Sequence, residues 1–351
     1  MPSAIERLRI ALRTQHRAPL ALLPTPIHRL DSFRRTLDSP ELWIKRDDLT
    51  GLEGGGNKTR KLEYLVGDAL ATGADMLVTV GAIQSNHTRQ TAAAAARHGL
   101  KCSLLHFAWT KDAGPLYRKT GNILLSSLMG ADLYLDETPR PIEDQSPLIE
   151  FVERLRESGH RPYLIPGGAS EHPLGSFGYM GCAAEITQQS EETGIHFDHV
   201  VHCTGSSSTQ AGLLAGFAFM GEKISVIGVA DDHETEIKRT RVLQLANAAL
   251  ERLGSATRVD PGDVEIIAVD QSVYGETEPE TIDIISRLAA SEGIVADPVY
   301  EGKALRGLEQ LVRNKRFDPS AKILLMHLGG TPAIHAYADR MPAPAFRRST
   351  P

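Results

Sequence analysis

Short apolar runs rich in Val, Ile and Leu alternate along this chain with longer stretches of helical periodicity, and no other feature constrains the fold as tightly. Strand-like runs cover residues 42–45, 75–80, 103–107, 133–135, 163–166, 199–203, 225–230, 265–269 and 323–327. Helical spacing covers 59–71, 88–98, 149–157, 210–220, 234–253, 281–290 and 304–314. Several strands lack polar alternation, which predicts cover by helices on both faces. Strand, loop and helix in repetition imply an α/β protein with mostly parallel sheets and right-handed crossovers. Ligands of such folds sit beyond the carboxyl ends of the strands, where helix N-termini converge. No repeat, low-complexity tract or Pro/Gly linker interrupts the pattern, so two domains would be interleaved rather than strung in series.

Composition removes several classes of function. With 351 residues, 41% hydrophobic and 23% charged, the chain has the balance of a soluble globular protein of one or two domains. A net charge of -6 without blocks of like charge argues against nucleic acid or an anionic membrane as partner. The longest nearly apolar run, 211–221, is too short to cross a bilayer and ends at Glu222-Lys223. Cys102, Cys182 and Cys203 are too scattered for a disulfide framework and fit a reducing, cytoplasmic compartment. At the N-terminus Ile5, Leu8 and Leu12 recur at helical spacing among Arg7, Arg9 and Arg13. Glu6 interrupts the pattern of a transit peptide, so a short amphipathic helix on the protein body is expected.

Three strand-to-helix loops carry the chemistry. In the first, Gly54, Gly55 and Gly56 precede Asn57 and Lys58. The glycines let backbone approach a ligand, and Asn57 is a candidate helix cap. Gly51 and Gly56 have P-loop spacing, but Asn57 intervenes before the lysine, which argues against a nucleotide site. In the second, Gln84, Ser85, Asn86 and His87 open an alanine-rich helix. Simple capping accounts for Ser85 or Asn86, yet such a helix start also suits a carboxylate. In the third, Gly205, Ser206, Ser207, Ser208 and Thr209 lie between a buried strand and a helix, where N–H and hydroxyl donors can cradle a phosphate. The bland alternative there is a polar turn. No metal site is expected: His196 and His202 would share one strand face with His199 opposite, but no HExxH or CxxC pattern supports them. No Gly-x-Ser-x-Gly elbow supports a serine hydrolase.

The stretches 43–48 (Trp43-Ile44-Lys45-Arg46-Asp47-Asp48), 55–63 around Lys58, and Gln84-Ser85-Asn86 resemble the 1-aminocyclopropane-1-carboxylate (ACC) deaminase / D-cysteine desulfhydrase family. That resemblance runs from about Leu23 to Tyr337. It implies the tryptophan-synthase-β-like fold of fold type II pyridoxal-phosphate enzymes, with two domains and a homodimer. The larger cofactor domain would comprise 1–59 plus 169–351, with a smaller domain, 60–168, inserted. It further implies that Lys58 carries pyridoxal 5′-phosphate as a Schiff base and that Gly205 to Thr209 bind its phosphate. Asn86 would bond the phenolic oxygen, and Ser85 with Asn86 would hold the carboxylate of a small amino-acid substrate. Ser85 corresponds to a serine proposed as nucleophile in ring opening.

Four features resemble true ACC deaminases: Glu301, Leu328, the segment 170–175, and Trp109 ahead of Tyr117. Glu301 near the pyridine nitrogen would help keep it protonated, and Leu328 belongs to the same cofactor pocket. Tyr274 and Tyr300 would meet the substrate, stabilising or deprotonating its amine. His87 points the other way, because it follows Ser85-Asn86 as in desulfhydrases. Glu276, Glu278 and Glu280 add carboxylates after Tyr274 that, if turned to the site, would disfavour an anionic substrate side chain. The expected activity is ACC deamination, straddling hydrolase and lyase chemistry. The ring would be opened by Ser85, by a tyrosinate, or by Lys58 acting on a β-proton. The alternatives are D-cysteine desulfhydration, a related β-elimination, or a catalytically silent amino-acid binder.

Overall fold

The computed structural model describes residues 2–138, 144, 146–170, 172–269 and 273–346. It contains the expected α/β architecture as two sheets flanked by helices. The first sheet has six strands: β1 (Ile27–Arg29), β2 (Glu41–Arg46), β7 (His199–Thr204), β8 (Ser225–Ala230), β9 (Glu265–Ile267) and β10 (Lys322–His327), in the order β1-β2-β10-β7-β8-β9. All neighbours pair in parallel except β1, which runs antiparallel to β2 at the edge. The second sheet is fully parallel and comes from one continuous stretch: β3 (Met76–Ala82), β4 (Lys101–Phe107), β5 (Asp132–Asp136) and β6 (Pro162–Ile165), ordered β5-β4-β3-β6. β3 and nearly all of β7, β8 and β10 are buried, in keeping with their largely apolar sequences.

The helices are α1 (Ala4–Leu12), α2 (Asp31–Leu37), α3 (Asn57–Ala71), α4 (Asn86–His98), α5 (Gly121–Leu128), α6 (Ser146–Glu157), α7 (Phe177–Thr193), α8 (Ser208–Met220), α9 (Thr235–Arg252), α10 (Pro279–Glu292) and α11 (Glu301–Arg313). α1 is the predicted amphipathic helix, burying Ile5, Leu8 and Leu12. Glu6, which seemed an interruption, closes a capping box with Ser3. α8 is apolar almost all round and lies buried against α7, as such a helix must. The domain boundary expected after residue 59 falls inside α3. His196 precedes β7 and is exposed, so it shares no strand face with His202, and no cluster suited to a metal occurs among the described residues.

Candidate active site

The carboxyl ends of β7, β8 and β10 meet those of β3 and β6 around one cavity of about 850 Å³. Lys58, Ser85, Asn86, His87, Trp109, Gly205, Ser206, Ser207, Thr209, Tyr274, Tyr300, Glu301 and Leu328 all line it. Ser208 does not; its hydroxyl turns behind the loop and accepts from Lys61 Nζ at 2.8 Å. Glu276, Glu278 and Glu280 do not line it either, and Glu278 pairs with Arg306 at 3.1 Å. The acidic segment therefore sets no charge at the cavity wall. The carboxylates that do line it include Asp231 and Asp232, both paired with Lys238. Of the segment 170–175, Ser170 reaches the cavity while Glu171 lies outside the described residues.

Lys58 sits in the first turn of α3, placed there by a loop that runs through left-handed backbone at Gly54, Gly55 and Gly56. A side chain on Gly55 would overlap the Asp48 carbonyl, so the tight loop requires glycine there. Asn57 is not the cap that its residue type suggests: the cap position is Gly56, and Asn57 is the first helical residue. Its amide instead donates to Thr209 Oγ1 at 3.1 Å and accepts from Lys58 Nζ at 3.0 Å. The missing cap comes from another helix. Gln90 Oε1 accepts from the Thr59 N–H at 2.8 Å and hydroxyl at 3.0 Å, while its Nε2 donates to the Asn86 carbonyl at 3.1 Å. Burial pulls Lys58 down to about 8, against the opposing pull of Asp231 and Glu301.

The other two loops behave as helix starts open to ligands. Ser85 caps α4 by accepting from the Thr88 N–H at 3.3 Å, so its hydroxyl oxygen is already engaged. No side chain caps α8, whose first turn faces the cavity through Ser207 and Thr209. Ser207 holds φ at 66°, in the left-handed region that serine rarely adopts, and its hydroxyl is buried without a partner. Below it Lys61 is fully buried, donating to Ser208 and, at 3.3 Å, to Ser206. Burial, with Lys58 adding, pushes Lys61 well below its ordinary value. An uncapped helix start, an unbonded hydroxyl and a buried amine together fit a phosphate ester. Across the loop, a side chain at Gly168 would overlap Ser206, which keeps that wall of the cradle open.

Tyr274 and Tyr300 join hydroxyl to hydroxyl at 2.8 Å. Burial raises both, so neither favours the tyrosinate form in this state. Glu301 begins α11, and burial followed by neighbouring Asp297 pushes it well up despite the Leu328 N–H bonded to it. Trp109 packs on Phe107 with ring centroids 5.2 Å apart, leaving its indole N–H buried and unpaired. His87 is buried beside Thr79, whose hydroxyl donates to the Ile165 carbonyl at 2.7 Å. Thr79 must then accept from His87 Nε2, at 2.8 Å, so the imidazole carries its proton there. Burial and the two nearby lysines keep it neutral, with Nδ1 unpaired.

Lys61, Gln90, Gly168 and Asp231 were not singled out from the sequence. Lys61 stands in the same motif as Lys58, but a lysine in the second turn of a helix ordinarily belongs to solvent.

Residues 19–329 match the family model described as pyridoxal-phosphate dependent enzyme. The chain is 42% identical over 326 residues to 1-aminocyclopropane-1-carboxylate deaminase of Burkholderia vietnamiensis (strain G4 / LMG 22486), spanning 92% of this chain and 96% of the relative. It is 44% identical over 324 residues to the deaminase so named in Burkholderia cenocepacia J2315, with the same coverage. A crystal structure of an ACC deaminase homologue superposes with a TM-score of 0.86 at 37% identity, covering 95% of this chain and 98% of that one. With Lys58 and the starts of α4 and α8 converging on one cavity, the chain belongs to the pyridoxal-phosphate dependent enzyme family.

Proposed function

We propose that the protein converts 1-aminocyclopropane-1-carboxylate and water to 2-oxobutanoate and ammonia. The observation that carries this reading is the placement of the Lys58 amine between two helix starts, with the Tyr274–Tyr300 pair and buried Glu301 lining the same cavity. The 42% identity to a named deaminase supports it. Bound at Lys58, pyridoxal 5′-phosphate supplies an electron sink for the substrate amine's carbon. Gly205 to Thr209 and Lys61 would hold its phosphate, Asn86 its phenolic oxygen, and Glu301 its ring nitrogen. The start of α4 at Ser85 and Asn86 would receive the substrate carboxylate. Burial leaves Glu301 reluctant to ionise alone, so its carboxyl keeps a proton that it could share with the ring nitrogen.

ACC has no α-hydrogen, so its ring opens through a nucleophile or through loss of a ring-carbon proton. Ser85 Oγ serves as a cap and has no basic partner among the described residues. Both tyrosines are held protonated by burial. Lys58, pulled down to about 8, is the candidate whose reactive form is accessible near neutral pH. Lys58 Nζ, at the cavity wall, would be the group that moves the proton. Tyr300 and Tyr274 then hold the substrate amine in position.

His87, which follows Ser85-Asn86 as in desulfhydrases, favours one second reading, D-cysteine desulfhydration. Assay of both substrates on the purified holoenzyme decides between them. 2-Oxobutanoate from ACC is expected; sulfide and pyruvate from D-cysteine with none from ACC would overturn the proposal. A protein that stays colourless with added cofactor would instead be a silent binder. The same reading includes a cytoplasmic homodimer, a larger domain of 1–59 plus 169–351, and a smaller one of 60–168. No described helix is long and apolar enough to cross a membrane.

A further inference from the structure

An amide side chain carries an acceptor at one end and donors at the other, and its partners decide which end meets a ligand. Behind Asn86 lies Asn122 in the first turn of α5, completely buried. Asn122 Oδ1 accepts from Arg89 Nε at 2.7 Å. Its Nδ2 donates to Asn86 Oδ1 and to the Gln84 carbonyl, each at 2.9 Å. Arg89 is the fixed point of this chain. It is buried, and its remaining nitrogens donate to the carbonyls of Glu53 and Gly55. Burial brings it down only to about 10, so it keeps its charge at neutral pH.

A guanidinium cannot accept a hydrogen bond. Asn122 must therefore turn its oxygen toward Arg89 and its nitrogen toward Asn86. Asn86 must turn its oxygen inward, which leaves its nitrogen for the cavity that it lines. Among the described residues Asn86 Nδ2 has no partner. Arg89, which can only donate, and the Gln84 carbonyl, which can only accept, together fix the direction of every bond.

We propose that Arg89 and Asn122 are positioning residues, a directional relay that presents Asn86 Nδ2 as an obligatory donor to an anionic oxygen, the phenolic oxygen of the bound cofactor. This rests on the cofactor assignment above. The same guanidinium holds the carbonyls of the glycine loop leading to Lys58, so one buried cation orients both the loop and the donor. A donor on that oxygen favours its charge and weakens the hold of the neighbouring Schiff-base nitrogen on its proton.

The test is the pH midpoint at which the visible band of the Lys58-bound cofactor titrates. Asn86→Ala removes the donor and moves the midpoint up by about one unit, a tenfold change in proton affinity. Asn122→Asp offers Asn86 only acceptors, turns the Asn86 oxygen to the cavity, and moves the midpoint in the same direction. Combined with Asn86→Ala it adds nothing further, because it acts through Asn86. An unmoved midpoint in Asn122→Asp, or an additive double variant, overturns the relay while leaving the cofactor assignment standing. An unmoved midpoint in Asn86→Ala removes both. Should Asn122→Asp fail to fold, Asn122→Ser, too short to reach Asn86, must give a smaller upward shift; no shift there overturns the relay.

Discussion

Buried polar side chains gather on both sides of the first turns of α3, and the two groups differ in how fully they are bonded. Behind the helix, Arg60 pairs with Asp47 at 2.8 Å and with Glu185 at 3.0 Å, while Lys45 reaches Glu185 at 2.7 Å. Tyr179 donates to Asp47 at 2.7 Å, and Thr25 bonds both carboxylates. In front, Ser207 Oγ, His87 Nδ1 and Trp109 Nε1 have no partner among the described residues. Desolvating a charge is tolerable only with full pairing, so the rear cluster anchors the helix. Orphaned buried atoms lower stability unless something binds them. The contrast separates scaffold from site: the satisfied side holds α3 still, and the unsatisfied side waits for a ligand.

Substitutions on the two sides should therefore be read in different assays. The largest effect belongs to Lys58→Ala. It should cut turnover by about 10⁴-fold or more and abolish the visible band. Unfolding in urea should be little altered, and a comparable loss of stability would blur the contrast. On the rear side, Arg60→Met leaves buried Asp47 without its ion-pair partner and Glu185 with Lys45 alone, and should lower unfolding free energy by about 3–5 kcal/mol. Ser207→Ala should weaken cofactor binding about tenfold, the scale of a hydrogen bond to a charged group, while leaving the ligand-free protein as stable or slightly more so. A loss of ligand-free stability would mean that the hydroxyl is not orphaned.

The smallest effects are in pH. Burial acts to raise Asp47, but Arg60, Lys45 and Tyr179 outweigh it and hold the carboxyl at about 2, below its ordinary 3.8. A depressed carboxylate stabilises the fold above the unfolded value and loses that contribution as pH falls toward about 2. Acid titration of stability should show this loss in the parent and not in Asp47→Asn. Lys58 changes in the same direction with pH, but in a higher range. Its neutral amine appears as pH rises through about 8, so cofactor loading should accelerate across that range.

What the sequence disclosed follows the same division. Most strands of both sheets were legible, because β3, β7, β8 and β10 are dominated by Val, Ile, Leu and Met or other small apolar residues without regular polar alternation. α7 was not, since Glu185, Thr187 and Ser190 are buried along it and disguise its inward face. α2 and β1 are too short to show a period, and α5 carries no helical signature that its neighbours lack. Each loop of the site could be found from glycine and hydroxyl residues at strand ends. Lys61, Gln90 and Asn122 could not, because each acts through a partner more than 30 residues away: Ser208, Thr59 and Arg89 respectively. Asn57 looked like a cap by residue type alone, whereas its amide is taken by Thr209 and Lys58.

Reductive trapping tests the central claim most directly. Treating the holoenzyme with borohydride fixes the cofactor to the amine that holds it, and peptide mass mapping then identifies the residue. Attachment to Lys58 alone is the predicted result. Attachment to Lys61, three residues along the same helix and bonded to the serine loop, would contradict it, as would no attachment to α3 at all.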